Sequence, residues 1–190
     1  MPGMVPPVAD ERDALLAYLR HERHVMCLTA YGLTDDQARR APGPGPLSVG
    51  GLIKHVSSVE RGWIEIIFGR NEGSPEDYET NFRMGPDETL AEVLEAYDDV
   101  ARTTEAAIAG IGDLGQAVPV PPGVPWFPDD VEAWSVRWVL LHLIQETARH
   151  AGHADIMRES VDGATAFPLM AAAEGWPASP WMTPWEPQGA

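Results

Sequence analysis

Apolar residues recur at steps of three and four over four long stretches of the chain, a spacing that predicts four amphipathic helices. In the first, from Val8 to about Tyr31, Leu15, Tyr18, Leu19, Met26 and Thr29 share one face. The second opens at Ser48, a good N-cap, and runs to about Phe68 with Leu52, Val56, Val59, Trp63, Ile66 and Ile67 inward; Gly69 stops it. The third opens at Asp87-Glu88-Thr89 and continues through Leu90, Val93, Leu94, Tyr97, Val100, Ala107 and Ile108 to Gly110. The fourth covers about Val131 to Ser160. Between them, residues 42–46 alternate proline and glycine after Ala41, and Arg70 to Gly85 is polar and loop-like. Ile111 to Asp130 holds five prolines and three glycines, so this long connector is not regular helix; extended pieces covering one end of the domain are expected. No strand pattern of comparable length and no internal repeat appears. The pattern therefore predicts an all-α four-helix bundle over residues 1–165. A Pro/Trp-rich C-terminal extension, 166–190, is expected to pack on it, with Trp176, Trp181 and Trp185 set among Pro177, Pro180, Pro184 and Pro187. Such a tail suits a stiff strap, a lid or a homodimer contact.

The fourth stretch carries the candidate chemistry. His142, Glu146, His150 and His153 follow at steps of four, four and three, which places all four on one narrow stripe of a helix. A catalytic zinc site takes three protein ligands and leaves one position open, and two histidines with one glutamate is a standard set. The apolar side of this helix contains Val139, Leu140, Leu143, Ile144, Thr147, Ala154 and Met157. His150 projects well inside it with Glu146 alongside, one turn away, whereas His142 and His153 project toward its edge. On the second helix His55 projects among Leu52, Val59, Trp63 and Ile66, toward the interior. A lone inward histidine is more often a hydrogen-bonded core residue than a ligand. A facing helix with further ligands changes that reading, because bundles build metal sites between facing helices. The expected triad is His55, Glu146 and His150, with His153 either supporting those ligands or acting as an acid/base beside the ion, and His142 hydrogen-bonded or partly exposed. Such a set accepts zinc foremost, and also nickel, iron or manganese.

Composition narrows the setting. The chain has 190 residues, 44% of them hydrophobic, enough for one domain with a real core. No apolar run approaches the ~20 residues of a membrane span. Met1 to Asp10 lacks a basic region followed by an apolar stretch, so a cytoplasmic protein is expected. A formal charge of −16 argues against nucleic acid and against anionic membrane surfaces as partners. Lys54 is the only lysine beside twelve arginines, a bias that fits a GC-rich source. Cys27 is the only cysteine, which excludes an intramolecular disulfide and a cysteine-based zinc site. Without a nearby activating base its expected role is a small buried apolar one. His21-Glu22-Arg23-His24 resembles a second ligand set, but His24 projects almost opposite Leu15.

The run Leu47-Ser48-Val49-Gly50-Gly51-Leu52-Ile53-Lys54-His55-Val56, followed by Val59-Glu60 and Trp63, resembles the second helix of DinB-like proteins. The run Trp138 to Asp155, with Glu146-Thr147-Ala148-Arg149-His150-Ala151-Gly152-His153, resembles their metal-binding last helix. The resemblance covers most of residues 8–165, is nearest to an actinobacterial branch, and leaves out the tail beyond about residue 170. It implies a four-helix bundle that holds a divalent metal, often zinc or nickel, through three side chains. Many relatives have histidine where this chain has Glu146; the mycothiol-dependent maleylpyruvate isomerase group has glutamate there. Relatives with assigned activities use low-molecular-weight thiols such as mycothiol or bacillithiol, as S-transferases or isomerases.

Three functions remain open at this point. In the first, a metal-dependent S-transferase joins a small-molecule thiol, mycothiol in particular, to a small electrophile, with His153 moving a proton. Glu22 projects inward among Leu15, Leu19 and Met26 and would assist by reaching a histidine or arginine near the site; a structural ion pair is its other reading. The second is a hydrolase that uses the same triad to activate water. The third is a non-catalytic module whose metal only holds the helices together.

Overall fold

The computed structural model describes residues 3–70 and 80–187. Most of the described chain is helical: α1 (Glu11–Leu28), α2 (Asp35–Arg39), α3 (Val49–Ile67), α4 (Leu90–Ala109), α5 (Val136–Asp162) and α6 (Ala166–Glu174). Two three-residue strands, β1 (Ala117–Pro119) and β2 (Ala133–Ser135), pair antiparallel within the long connector. Residues 71–79 of the expected loop lie outside the described residues, as do the first two residues and the last three of the tail.

Helix ends follow from capping chemistry. Asp10, Ser48, Thr89 and Ser135 each sit in extended backbone and accept hydrogen bonds from first-turn amides of α1, α3, α4 and α5. Thr89 and Glu92 form a reciprocal capping box. The fourth predicted helix starts later than expected, at Val136, because residues 133–135 are drawn into the ribbon with 117–119. Two helices were not expected. Thr34 and Gln37 make a capping box that nucleates the short α2, and the first part of the tail forms α6, ended by Gly175 in the left-handed region.

The four long helices pack side by side, with α1 against α5, α5 against α3, and α3 against α4. Helices α1 and α5 run parallel: Glu11 pairs with Arg137 at 2.6 Å near their starts. Near their ends the Arg158 guanidinium donates to the Thr29 and Tyr31 carbonyls, each at 2.8 Å. Helix α3 runs antiparallel to α5, since Trp63 meets Trp138 and His142 while His55 meets Glu146 and His150. The core divides into two apolar clusters. One gathers Leu19, Trp63, Ile64, Ile67, Ile108, Val139 and Leu140; the other gathers Met26, Leu52, Ile53, Val56, Val93 and Ala151. In sequence, a buried polar residue of each long helix falls between the two sets: Arg23, Glu60, Thr104 and Thr147. Arg23 grips Glu60 with two hydrogen bonds, 2.6 and 3.0 Å.

The tail returns along the helices. Glu174 lies 3.0 Å from His24 of α1. The Trp185 ring lies 4.9 Å from the fully buried Arg158 guanidinium and edge-on to Tyr31. Gly32, at φ +72, makes room for that indole, because a Cβ there would stand 2.6 Å from it. Trp181, by contrast, is exposed. No helix among the described residues is long and apolar enough to cross a membrane.

Candidate metal centre

His55 stands in the second turn of α3, and Glu146 and His150 lie one turn apart in the middle of α5. The antiparallel packing of the two helices brings them together. Nε2 of His150 lies 3.1 Å from Oε1 of Glu146, and Nε2 of His55 lies 3.5 Å from the same oxygen. The His55 and His150 rings are 4.7 Å apart and steeply inclined. One donor atom from each of the three residues falls within 4.8 Å of the other two. Among the described residues this is the one such group. Ligand atoms about 2.1 Å from a tetrahedral ion stand about 3.4 Å from each other, so the two shorter separations already match a shared ion.

The electrostatics suit a cation. His150, and then His55, hold the Glu146 carboxyl far below its usual range by hydrogen bonding, which keeps it ionised. Burial pushes the His55 imidazole down, and the opposing pull of Glu146 does not reverse this, so its ring stays neutral near pH 7. An ionised carboxylate and an unprotonated imidazole are the forms that bind a divalent metal. In addition, Nδ1 of His150 is buried with no hydrogen-bond partner among the described residues. The donor set therefore fits a divalent ion.

Phe82 completes the surroundings. Its ring stacks on His55 at 3.7 Å and 16°. It reaches that place because Gly51 lacks a side chain: a Cβ there would lie 2.1 Å from the Phe82 carbonyl oxygen. Phe82 sits in irregular chain with no periodic signal, so sequence reading missed it. The Gly50-Gly51 pair at the start of a helix was the available hint of a close backbone approach.

The remaining candidates lie apart from the three donors. The His153 ring is 5.5 Å from that of His150 and half-buried, with its Nδ1 buried and unpartnered among the described residues. Glu22 is half-buried on α1, and burial raises its carboxyl against the weaker opposing effect of the adjacent His21. The fully inward charged group of α1 is its neighbour Arg23, a residue the projection did not single out. His142 is partly exposed, as expected, but lies within an aromatic stack on Trp138, and burial lowers its imidazole. His24 is engaged with Glu174 rather than with a second ligand set.

A family model described as mycothiol-S-transferase matches residues 14–163. The chain belongs to the mycothiol-S-transferase family. That family falls within the DinB-like superfamily, so the resemblance drawn from the two helical runs holds. A comparison with curated proteins returns no significant match. The mycothiol-S-transferase match spans His55, Glu146, His150, His153 and Glu22, and it ends at the glycine that terminates α5.

Proposed function

We propose that this chain is a divalent-metal-dependent S-transferase that joins mycothiol, or a similar low-molecular-weight thiol, to an electrophilic small molecule. The observation that carries the reading is the convergence of His55, Glu146 and His150 within 4.8 Å in a member of the mycothiol-S-transferase family. His55, Glu146 and His150 would hold the ion, zinc by preference, with nickel, iron or manganese also suited to the donors. Held by these three side chains, a cation would supply Lewis acidity that lowers the pKa of a thiol toward neutrality. Phe82 fixes the plane of His55 and keeps water from that face. His153 takes the thiol proton on its imidazole, and Glu22, half-buried on α1, assists by reaching a histidine or arginine near the site. The thiol sulfur forms a bond to the electrophilic carbon, and the leaving group departs with the bonding pair. The four long helices are read as a DinB-like bundle domain over residues 1–165, with residues 166–190 as an extension packed on it, in a cytoplasmic enzyme.

The test uses protein purified without a metal-affinity tag. Elemental analysis should find close to one divalent ion per chain, and mycothiol with monochlorobimane should be consumed faster than in buffer. His55→Ala, Glu146→Ala and His150→Ala should each deplete the ion and abolish that gain. Full retention of metal by all three variants refutes the assignment.

A further inference from the structure

Helix α5 keeps one long face in solvent. Trp138, Leu141, Gln145, Ala148, Gly152 and Ile156 are all exposed and fall within about 80° of one another around the helix. Trp138 is 39% exposed, Leu141 51% and Ile156 58%. A Cβ built on Gly152 would meet no atom within 4 Å, so the face is bare there. Of the exposed residues between 138 and 156, Arg149 alone is charged, and it projects to the edge nearest the triad. The outward face of α4 is the contrast: it carries Glu92, Glu95, Asp98, Asp99 and Arg102. In a chain of net charge −16, an apolar and neutral stripe about 27 Å long is the kind of surface that marks a contact. Tyr18 of α1 widens it. Glu11 pairs with Arg137 and the two helices run parallel, so Tyr18, two turns beyond Glu11 and 53% exposed, comes level with Gln145.

The stripe also complements itself about its middle. Trp138 stands seven residues before Gln145 and Gly152 seven after; Leu141 stands four before and Ala148 three after. The large residues thus occupy one half and the small ones the other. A second helix laid antiparallel across Gln145 sets each large side chain against a small one. The charges at the edge facing α1 match in the same way. Arg137 lies eight residues before Gln145 and Asp155 ten after, on the same edge. Glu11 engages Nε and Nη2 of Arg137 and leaves Nη1. Asp155 is half-buried, with Glu159 repelling it and no cation beside it among the described residues.

We propose that the outward face of α5 is the interface of a homodimer, two copies crossing antiparallel about a two-fold axis at Gln145. A two-fold contact uses the same patch on both copies and must therefore fit itself, as this stripe does. Trp138 covers the partner's Gly152, Leu141 packs on the partner's Ala148, and Arg137 meets the partner's Asp155. Two chains this acidic repel one another over most of their surface. A second copy is favoured where charge is absent or opposed, and the α5 face offers both. Glu146 is the residue after Gln145, so each metal centre borders the interface. The inference stands on surface chemistry and is independent of the transferase reading.

Sedimentation velocity of the full, metal-loaded chain, purified without an affinity tag, tests it. Between about 1 and 100 µM the parent should shift from 20.7 kDa to twice that mass. Leu141→Glu places a carboxylate on the stripe of each copy and should weaken association at least about 30-fold. Because Leu141 is half in solvent, the melting temperature at 1 µM should stay that of the parent. The register is tested by exchange. Leu141→Ala should weaken the dimer about tenfold, and adding Ala148→Leu should restore it to within about threefold, since the large residue then comes from the other copy. A parent that stays monomeric at 100 µM overturns the interface. So does a dimer indifferent to Leu141→Glu, which would use another face, such as that of Trp181. A double variant no tighter than Leu141→Ala overturns the axis at Gln145.

Discussion

At the scale of single residues, the difference between Cys27 and the triad is one of environment. Burial pushes the Cys27 thiol up to about 11, and the nearby Arg23 charge only partly opposes this. The thiolate is the reactive form, so native Cys27 should react with iodoacetamide at pH 8 at least about tenfold more slowly than the unfolded chain; equal rates would place the thiol in water. The sign of the linked stability effect follows. An acid whose folded pKa is raised costs nothing while both states are protonated. It destabilises the fold once the unfolded thiol ionises, above about pH 8.5, and the loss grows by roughly 1.4 kcal/mol per pH unit until about 11. Cys27→Ala should flatten that alkaline limb, which denaturation midpoints at pH 8 and pH 10.5 will report. Glu146 shifts the other way, held ionised by His150 and His55. Glu146→Gln keeps the shape and removes the charge, so it should weaken ion binding by at least about 100-fold, more than loss of a supporting partner costs. Competition with a chromophoric chelator measures this, and an affinity within a factor of three of the parent would remove Glu146 from the donor set.

At the scale of elements, the position of the site depends on how α3 begins. Ser48 caps the helix, and the bare backbone of Gly50 and Gly51 lets Phe82 and Met84 close over its first turns. Gly51→Ala places a methyl on the Phe82 carbonyl oxygen and should displace the segment that stacks on His55. The expected cost is about 1–3 kcal/mol of stability, with a looser ion, seen together as a lower melting temperature and faster metal loss to chelator. If stability falls and metal loss is unchanged, Phe82 does not steady His55. These two helices also show what could be read in advance. His55, Glu146 and His150 were legible because both helices are strongly periodic, and 100° per residue fixes which side chains share a face. Ser48, Thr89 and Gly69 marked ends because capping is local chemistry. Extended chain in the 111–130 connector was expected, but Phe82, the pairing of β1 with β2 and the burial of Arg23 in place of Glu22 were not legible. Each depends on a partner distant in sequence: Gly51, residues 117–119, and Glu60.

At the scale of the whole molecule, the two apolar clusters are joined by a pair of charges. Glu60 is 1% exposed and Arg23 5% exposed, and their two hydrogen bonds tie α3 to α1. Arg23 also reaches Glu105 of α4 at 3.2 Å, and Glu105 in turn holds Arg20 at 2.8 Å, so three of the four long helices share one network. Removing water from both charges is expensive, and their attraction inside the protein offsets this only while both remain. Glu60→Leu leaves Arg23 with Glu105 alone, itself one-third exposed, and should therefore cost about 3–5 kcal/mol. Against a total stability of about 5–15 kcal/mol, that is a large fraction of what holds the domain together. The double variant Arg23→Met with Glu60→Leu removes the stranded charge and should recover most of the loss. The measurement is a urea denaturation cycle over parent, two singles and double, at pH 7 and constant ionic strength. A recovery below about 1 kcal/mol would mean that the pair contributes through shape or helix register rather than through the mutual cancellation of two buried charges. In either result the ion content of the double variant is informative, because Glu60 lies five residues beyond His55 on the same helix. A double variant that is stable yet slow to bind metal would show that this ion pair sets the height at which α3 presents its histidine to α5.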